Sequence, residues 1–170
     1  PGPAERAAKQ AQEMAQGGDT AQAERKFREA LAAAPGNVDA VVGLAQVLVQ
    51  RGERDEAETL LERAPTDRRA KVLKHRIFLD RFGERHAGED LRGEAMRDPR
   101  DPRARYRLGV MLAAGAQYAD ALDELLESVR LDRAFADAAA RKAALAVFDI
   151  LGLESPVTRE YQRKLSSILF

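Results

Sequence analysis

A pattern of residues recurs in this chain at an interval of 34 positions. Gln12, Gln16, Gly18, Asp19, Ala23, Phe27 and Ala30 are followed, each 34 positions on, by Gln46, Gln50, Gly52, Glu53, Ala57, Leu61 and Ala64. The residue types describe a helix, a turn and a second helix packed back on the first. Gly18 and Gly52 stand where the first helix must end in a left-handed backbone. Ala23 and Ala57 are small where two helices cross at close range, and Phe27 and Leu61 are the large apolar wedges beside them. Pro35-Gly36-Asn37 then breaks the chain before the next unit.

A third unit, residues 67–99, is weaker. Val72, Leu73, Ile77 and Phe78 are spaced as an apolar helical face, Gly83 marks the expected turn, and Ala87 and Leu91 take the small and large positions. A fourth, 100–133, is clearer. It carries Leu108-Gly109 and Leu112, then Tyr118, Ala121 and Leu125, and Asp101-Pro102 supplies a capping carboxylate with proline in the first turn. Residues 134–151 read as a long Ala-rich helix ending at Gly152. Ser155-Pro156 opens a last helix with Val157, Tyr161, Leu165, Ile168 and Leu169 on one face.

A helix–turn–helix unit of 34 residues is the tetratricopeptide (TPR) period. The expected fold is therefore all-α: a TPR-like right-handed helical-repeat solenoid of about four helix pairs (1–36, 37–66, 67–99, 100–133) plus two C-terminal helices (134–170). Solenoids need terminal caps, which gives the last two helices a capping role. The apolar ending Ile168-Leu169-Phe170 gives the final one a docking role as well. Sparse β-branched residues that never alternate argue against a sheet.

The chemistry of the side chains excludes several functions. The chain has no cysteine, which rules out disulfide, thiolate–zinc and cysteine-nucleophile chemistry within it. Its two histidines, His75 and His86, are eleven residues apart and form no metal-binding motif. Phosphate loops and nucleophile elbows are also missing, so no catalytic, cofactor or metal site and no small-molecule substrate is expected. The carboxylate pairs Asp55/Glu56, Glu89/Asp90 and Asp123/Glu124 are expected to be exposed and to titrate ordinarily. Net charge is zero but uneven: residues 1–67 hold 8 Lys/Arg against 12 Asp/Glu, and residues 68–107 hold 13 against 7. That basic stretch lacks aromatic interleaving and is mixed with acids, which argues against nucleic acid and leaves a solvated surface or a docking patch for an acidic protein. No apolar run approaches the roughly 20 residues that cross a bilayer, so no membrane association is expected and a cytoplasmic location fits. The opening Pro-Gly-Pro without methionine reads as the start of an excised fragment.

What remains is binding. The first helix of each pair lines the concave side of a TPR array, which nominates Gln12, Gln16, Val42, Gln46, Val49, Gln50, Arg76, Tyr106 and Val110. The basic and amide set that clamps a terminal carboxylate in chaperone-tail-binding TPRs is missing, since Ala8, Val42, Val72 and Tyr106 occupy the equivalent places. Amides and apolar groups suit an extended or non-native polypeptide.

The last third carries a more specific likeness. Tyr118, Ala121, Leu122, Leu125, Leu126, Val129, Asp132, Arg133 and Phe135 lead into Ala140-Arg141-Lys142, Leu145, Phe148 and Leu151-Gly152, then into Ser155-Pro156-Val157, Tyr161, Arg163-Lys164-Leu165 and Leu169-Phe170. This resembles the TPR region of the YbbN/CnoX family of bacterial thioredoxin-like co-chaperones. The resemblance implies a thioredoxin-like domain preceding Pro1, a holdase activity toward unfolded clients, and delivery to the GroEL chaperonin. It also implies docking through the last helix, with Tyr161, Arg163, Lys164, Leu165, Leu169 and Phe170 as the matching positions. Two alternatives stand beside it: a generic TPR scaffold holding one folded partner, and an accessory domain regulating an attached thioredoxin-like enzyme.

Overall fold

The computed structural model describes residues 1–170 and contains ten helices and no strand. They are α1 (Pro3–Gln16), α2 (Thr20–Ala33), α3 (Val38–Gln50), α4 (Arg54–Leu61), α5 (Arg68–Arg85), α6 (Leu91–Arg97), α7 (Pro102–Ala114), α8 (Tyr118–Leu131), α9 (Ala139–Leu151) and α10 (Pro156–Leu169). The chain divides into two compact units, Pro1–Ile77 and Phe78–Phe170, with the division falling inside α5.

In the first unit the repeated residues do the packing. Gly18 and Gly52 have φ of +87° and +81°, a region that L-residues with a Cβ enter at a cost. Each is followed at once by the start of the next helix. Asp19 caps α2 by accepting from the Gln22 amide at 3.1 Å, and Asn37 caps α3 by accepting from the Ala40 amide at 2.9 Å. Ala23, Ala57, Phe27 and Leu61 are all fully buried. The buried side chains of α1 are Ala4, Ala7, Ala8 and Ala11, and alanine lets neighbouring backbones approach. Gly43 on α3 serves the same end, because a Cβ there would lie 2.3 Å from the Phe27 ring. Burying that ring contributes about 2–3 kcal/mol.

The second unit has the same motif in its α7–α8 pair. Asp101 caps α7 by accepting from the Arg103 amide at 2.9 Å, with Pro102 in the first turn. A Cβ at Gly109 would lie 2.7 Å from Leu125, and Ser128, fully buried, donates to the Pro102 carbonyl at 2.7 Å. The turn before α8 uses Ala116 at φ +60° where the first two repeats use glycine.

Four expectations fail here. Gly83 is not a turn but lies within α5, which runs to Arg85; it allows close approach, since a Cβ would meet that of Ala114 at 3.3 Å. Ala87 is therefore an exposed loop residue, and the buried residues of the short α6 are Leu91 and Ala95. Phe78 is 45% exposed, while Leu79, one residue on, is buried. Finally, α9 starts at Ala139 rather than 134, because Ala136, Asp137 and Ala138 are all left-handed (φ +46° to +60°). A chain turning through three such residues cannot continue a right-handed helix.

Candidate protein-binding surface

Spacing puts the four glutamines of the first unit on matching stripes. Gln12 and Gln16 are one helical turn apart on α1, and Gln46 and Gln50 one turn apart on α3. All four are exposed and are not committed to bonds with other residues of the chain. They line a cavity of about 180 Å³ whose floor is Ala15, Gly43 and Val47. A second cavity of about 450 Å³ shares Gln12, Gly43 and Gln46 and adds Ala8, Val42, Glu5, Lys9, Asp39 and Arg69. Together they form one groove between α1 and α3, with amide walls, a floor of small and apolar residues, and charged groups at one end. There Arg69 pairs with Asp39 at 2.9 Å and Asp67 at 3.2 Å. The Asp67 carboxyl is held below its usual range chiefly by Arg69.

The other nominated residues do not join this groove. Val49 is half-buried at its edge of α3, and Arg76 is exposed on α5. Tyr106 belongs to the second unit, where its ring packs 5.9 Å from that of Phe135 and burial raises its hydroxyl pKa. Val110 is fully buried and is a core residue, not a lining one.

On α10 the nominated set splits. Tyr161 and Leu165 are buried in the second unit's core, with Val157, Ile168 and Leu169 packed partly against it. Tyr161 donates to the Asp123 carboxylate at 2.6 Å, and burial with that carboxylate strongly raises the phenol's pKa. These two residues hold the helix in place and offer no side chain to a partner. Arg163, Lys164 and Phe170 are exposed, and the Lys164 ammonium sits 4.5 Å above the Tyr161 ring. Arg133 donates to the Ile168 and Leu169 carbonyls at 3.2 and 3.3 Å, closing the end of α10.

Sequence reasoning missed one polar cluster. Arg107, with its guanidinium largely buried, bonds Glu94 at 2.8 Å and Glu89 at 2.9 Å, and His86 Nδ1 contacts the same Glu89 carboxylate. Glu89 therefore does not titrate ordinarily: His86 first, then Arg107, holds its carboxyl below the usual range. The other carboxylate pairs are also engaged, Glu56 by Arg28 at 2.9 Å and Glu124 by Arg105 at 2.8 Å. The only sequence cue was an arginine at a helical position whose neighbours Ala104 and Leu108 are core.

Paired helices with a small-residue floor and polar walls define a helical-repeat protein-interaction scaffold. Two models of the tetratricopeptide repeat match the chain, one over residues 83–170 and one over 14–71. The first alone spans more than half of it, and the chain belongs to the tetratricopeptide-repeat family. No curated protein matches it. Among solved structures, the chain is similar to the MamA RS-1 ArsTM double mutant (17% identity over 99% of this chain and 96% of that one, TM-score 0.48). It is also similar to MamA (17% identity, 94% of each chain, TM-score 0.43). A third is a domain of protein VP0806, of unknown function, from Vibrio parahaemolyticus RIMD 2210633 (23% identity, 98% and 99% of the two chains, TM-score 0.42). No helix is long and apolar enough to cross a membrane.

Proposed function

We propose that this chain is a non-catalytic binding module that holds an extended, non-native segment of another protein in the groove between α1 and α3. The observation that carries this reading is the convergence of Gln12, Gln16, Gln46 and Gln50 over a floor of Ala15, Gly43 and Val47. A glutamine side chain is a primary amide, offering both a donor and an acceptor to a peptide bond. Residues four apart on a helix are about 6 Å apart along the axis, and every second residue of an extended chain is about 6.6 Å apart. Successive glutamines thus match successive same-side peptide groups without demanding a particular side chain. That tolerance is what a holdase for unfolded clients requires, and it accords with the resemblance to thioredoxin-like co-chaperones of the cytoplasm.

Delivery to a GroEL-type chaperonin belongs to the same proposal, through the exposed side of α10. Removing the whole helix does not test it, since Tyr161 and Leu165 are core residues. Arg163→Glu, Lys164→Glu and Phe170→Ala change only exposed side chains. Together they should abolish chaperonin co-purification while helicity is retained, and undiminished co-purification rules that docking surface out. For the groove, the test is fluorescence anisotropy of a labelled, permanently unfolded client such as reduced carboxymethylated α-lactalbumin. Gln46→Ala with Gln50→Ala should weaken binding about tenfold, two lost amide contacts being worth roughly 0.5–1.5 kcal/mol each. Unchanged affinity rejects the groove.

A further inference from the structure

The amide walls set no preference for the charge of the bound segment, but α5 does. Its first nine residues hold Arg68, Arg69, Lys71, Lys74 and Arg76 and no acid. The dipole of α5 does not favour this arrangement. Arg68, Arg69 and Lys71 occupy the first turn of the helix, where the macrodipole favours anions and disfavours cations. Asp67, just ahead of the helix, is already used: it accepts from the Arg69 and Ala70 amides at 2.9 and 3.2 Å and pairs with the Arg69 guanidinium. Lys71, Lys74 and Arg76 are left without an ion pair in the chain.

Position ties this charge to the groove. Arg69 lines it directly, beside Asp39 and Gln46. Arg76 is seven residues further along the same helix, hence on the same face and about 10 Å away along the axis. Arg69 is neutralised by two carboxylates, and Arg76 by none. An extended chain covers that distance in about three residues.

We infer that the bound segment is acidic where it continues beyond the groove along α5, presenting carboxylates to Arg76, with the field of Lys71 and Lys74 behind it. The inference rests on the groove reading above and adds the chemical class of the partner segment. A nucleic acid is the poorer fit. The first unit as a whole is close to neutral, with 13 Lys/Arg against 12 Asp/Glu over residues 1–77. Its groove also offers amides and aliphatic groups rather than aromatic rings on which bases stack.

The test uses two end-blocked dodecapeptides of Ser, Ala and Val that differ only in carrying three central Glu or three central Gln residues. Binding to the full chain at low salt should favour the Glu peptide about fivefold, the scale of one or two exposed charge contacts. Arg76→Glu, and separately Arg76→Gln, should remove the preference while leaving the Gln peptide's affinity unchanged, and 1 M salt should remove it in the native chain. Equal affinity for the two peptides overturns the inference. In that case the groove reading stands if Gln46→Ala with Gln50→Ala still weakens both. A Gln peptide with a free C-terminal carboxylate distinguishes the source of the anion: if it alone gains the Arg76-dependent advantage, acidic side chains are not the ligand and the inference fails. Displacement of the Glu peptide by an equal concentration of single-stranded oligothymidine would assign the basic edge to nucleic acid and overturn it too.

Discussion

The first unit and the α6–α7 junction of the second close their helix packing with different materials. In the first, the contacts are carbon against carbon: Gly43 lies under the Phe27 ring, and Ala23 and Ala57 sit at the crossings with nothing exposed. In the second, the short α6 brings only Leu91 and Ala95 to the core. Arg107, reaching from α7 to Glu89 and Glu94, supplies the rest. A repeat can therefore lose the small–large signature that makes it visible in sequence while keeping its helix pair, provided a polar tie replaces the wedge.

Breaking each material should show the difference. Phe27→Ala removes the largest wedge and should cost about 4 kcal/mol by urea denaturation, within the range of buried aromatic truncations. Gly43→Ala should also destabilise, because the added Cβ has only the ring to displace. Arg107→Leu leaves Glu94 without its cation and Glu89 with His86 alone. Both carboxylates are partly exposed, so the loss should be smaller, about 2 kcal/mol against the 3–5 of a fully buried pair.

The two materials should also differ in acid. The Glu89 carboxyl is depressed by His86 and Arg107 from its ordinary 4.5. A depressed carboxyl adds stability above its unfolded pKa and loses it as pH falls through the folded one. Melting temperature should therefore fall between pH 5 and pH 3, and less so in Arg107→Leu. The Phe27–Gly43 contact contains no titrating group and should not respond.

The turns offer the smallest and most symmetrical comparison. Gly52→Ala forces a Cβ into a φ of +81° and should cost about 1 kcal/mol. Ala116→Gly relieves the same conformation at the corresponding turn before α8, and should stabilise by about 0.5 kcal/mol after the greater freedom of glycine in the unfolded chain is counted.

What was readable in the sequence follows the same division. Gly18, Gly52, Ala23, Ala57, Phe27 and Leu61 each have a local reason for their identity, and so their 34-residue register revealed both turn and crossing. The glutamine stripes were legible because helical spacing alone puts residues 12 and 16, and 46 and 50, on one face. The third repeat was not. Gly83 looks like a turn, yet α5 runs through it because its freedom is used for close approach to Ala114. The left-handed run Ala136–Ala138 opposes the helix preference of its alanines, so no propensity argument finds it. On α10 the apolar spacing was plain, but spacing cannot separate a side chain that docks from one that anchors. Tyr161 proves to be an anchor because Asp123, 38 residues away, accepts its hydroxyl.

The proposed binding belongs to the groove of the first unit. Amide hydrogen exchange of the full chain, with and without a saturating unfolded client such as carboxymethylated α-lactalbumin, tests it most directly. Slowed exchange should concentrate in α1 (Pro3–Gln16) and α3 (Val38–Gln50), with α9 and α10 unchanged. Protection confined to α10, or absent from α1 and α3, would contradict it.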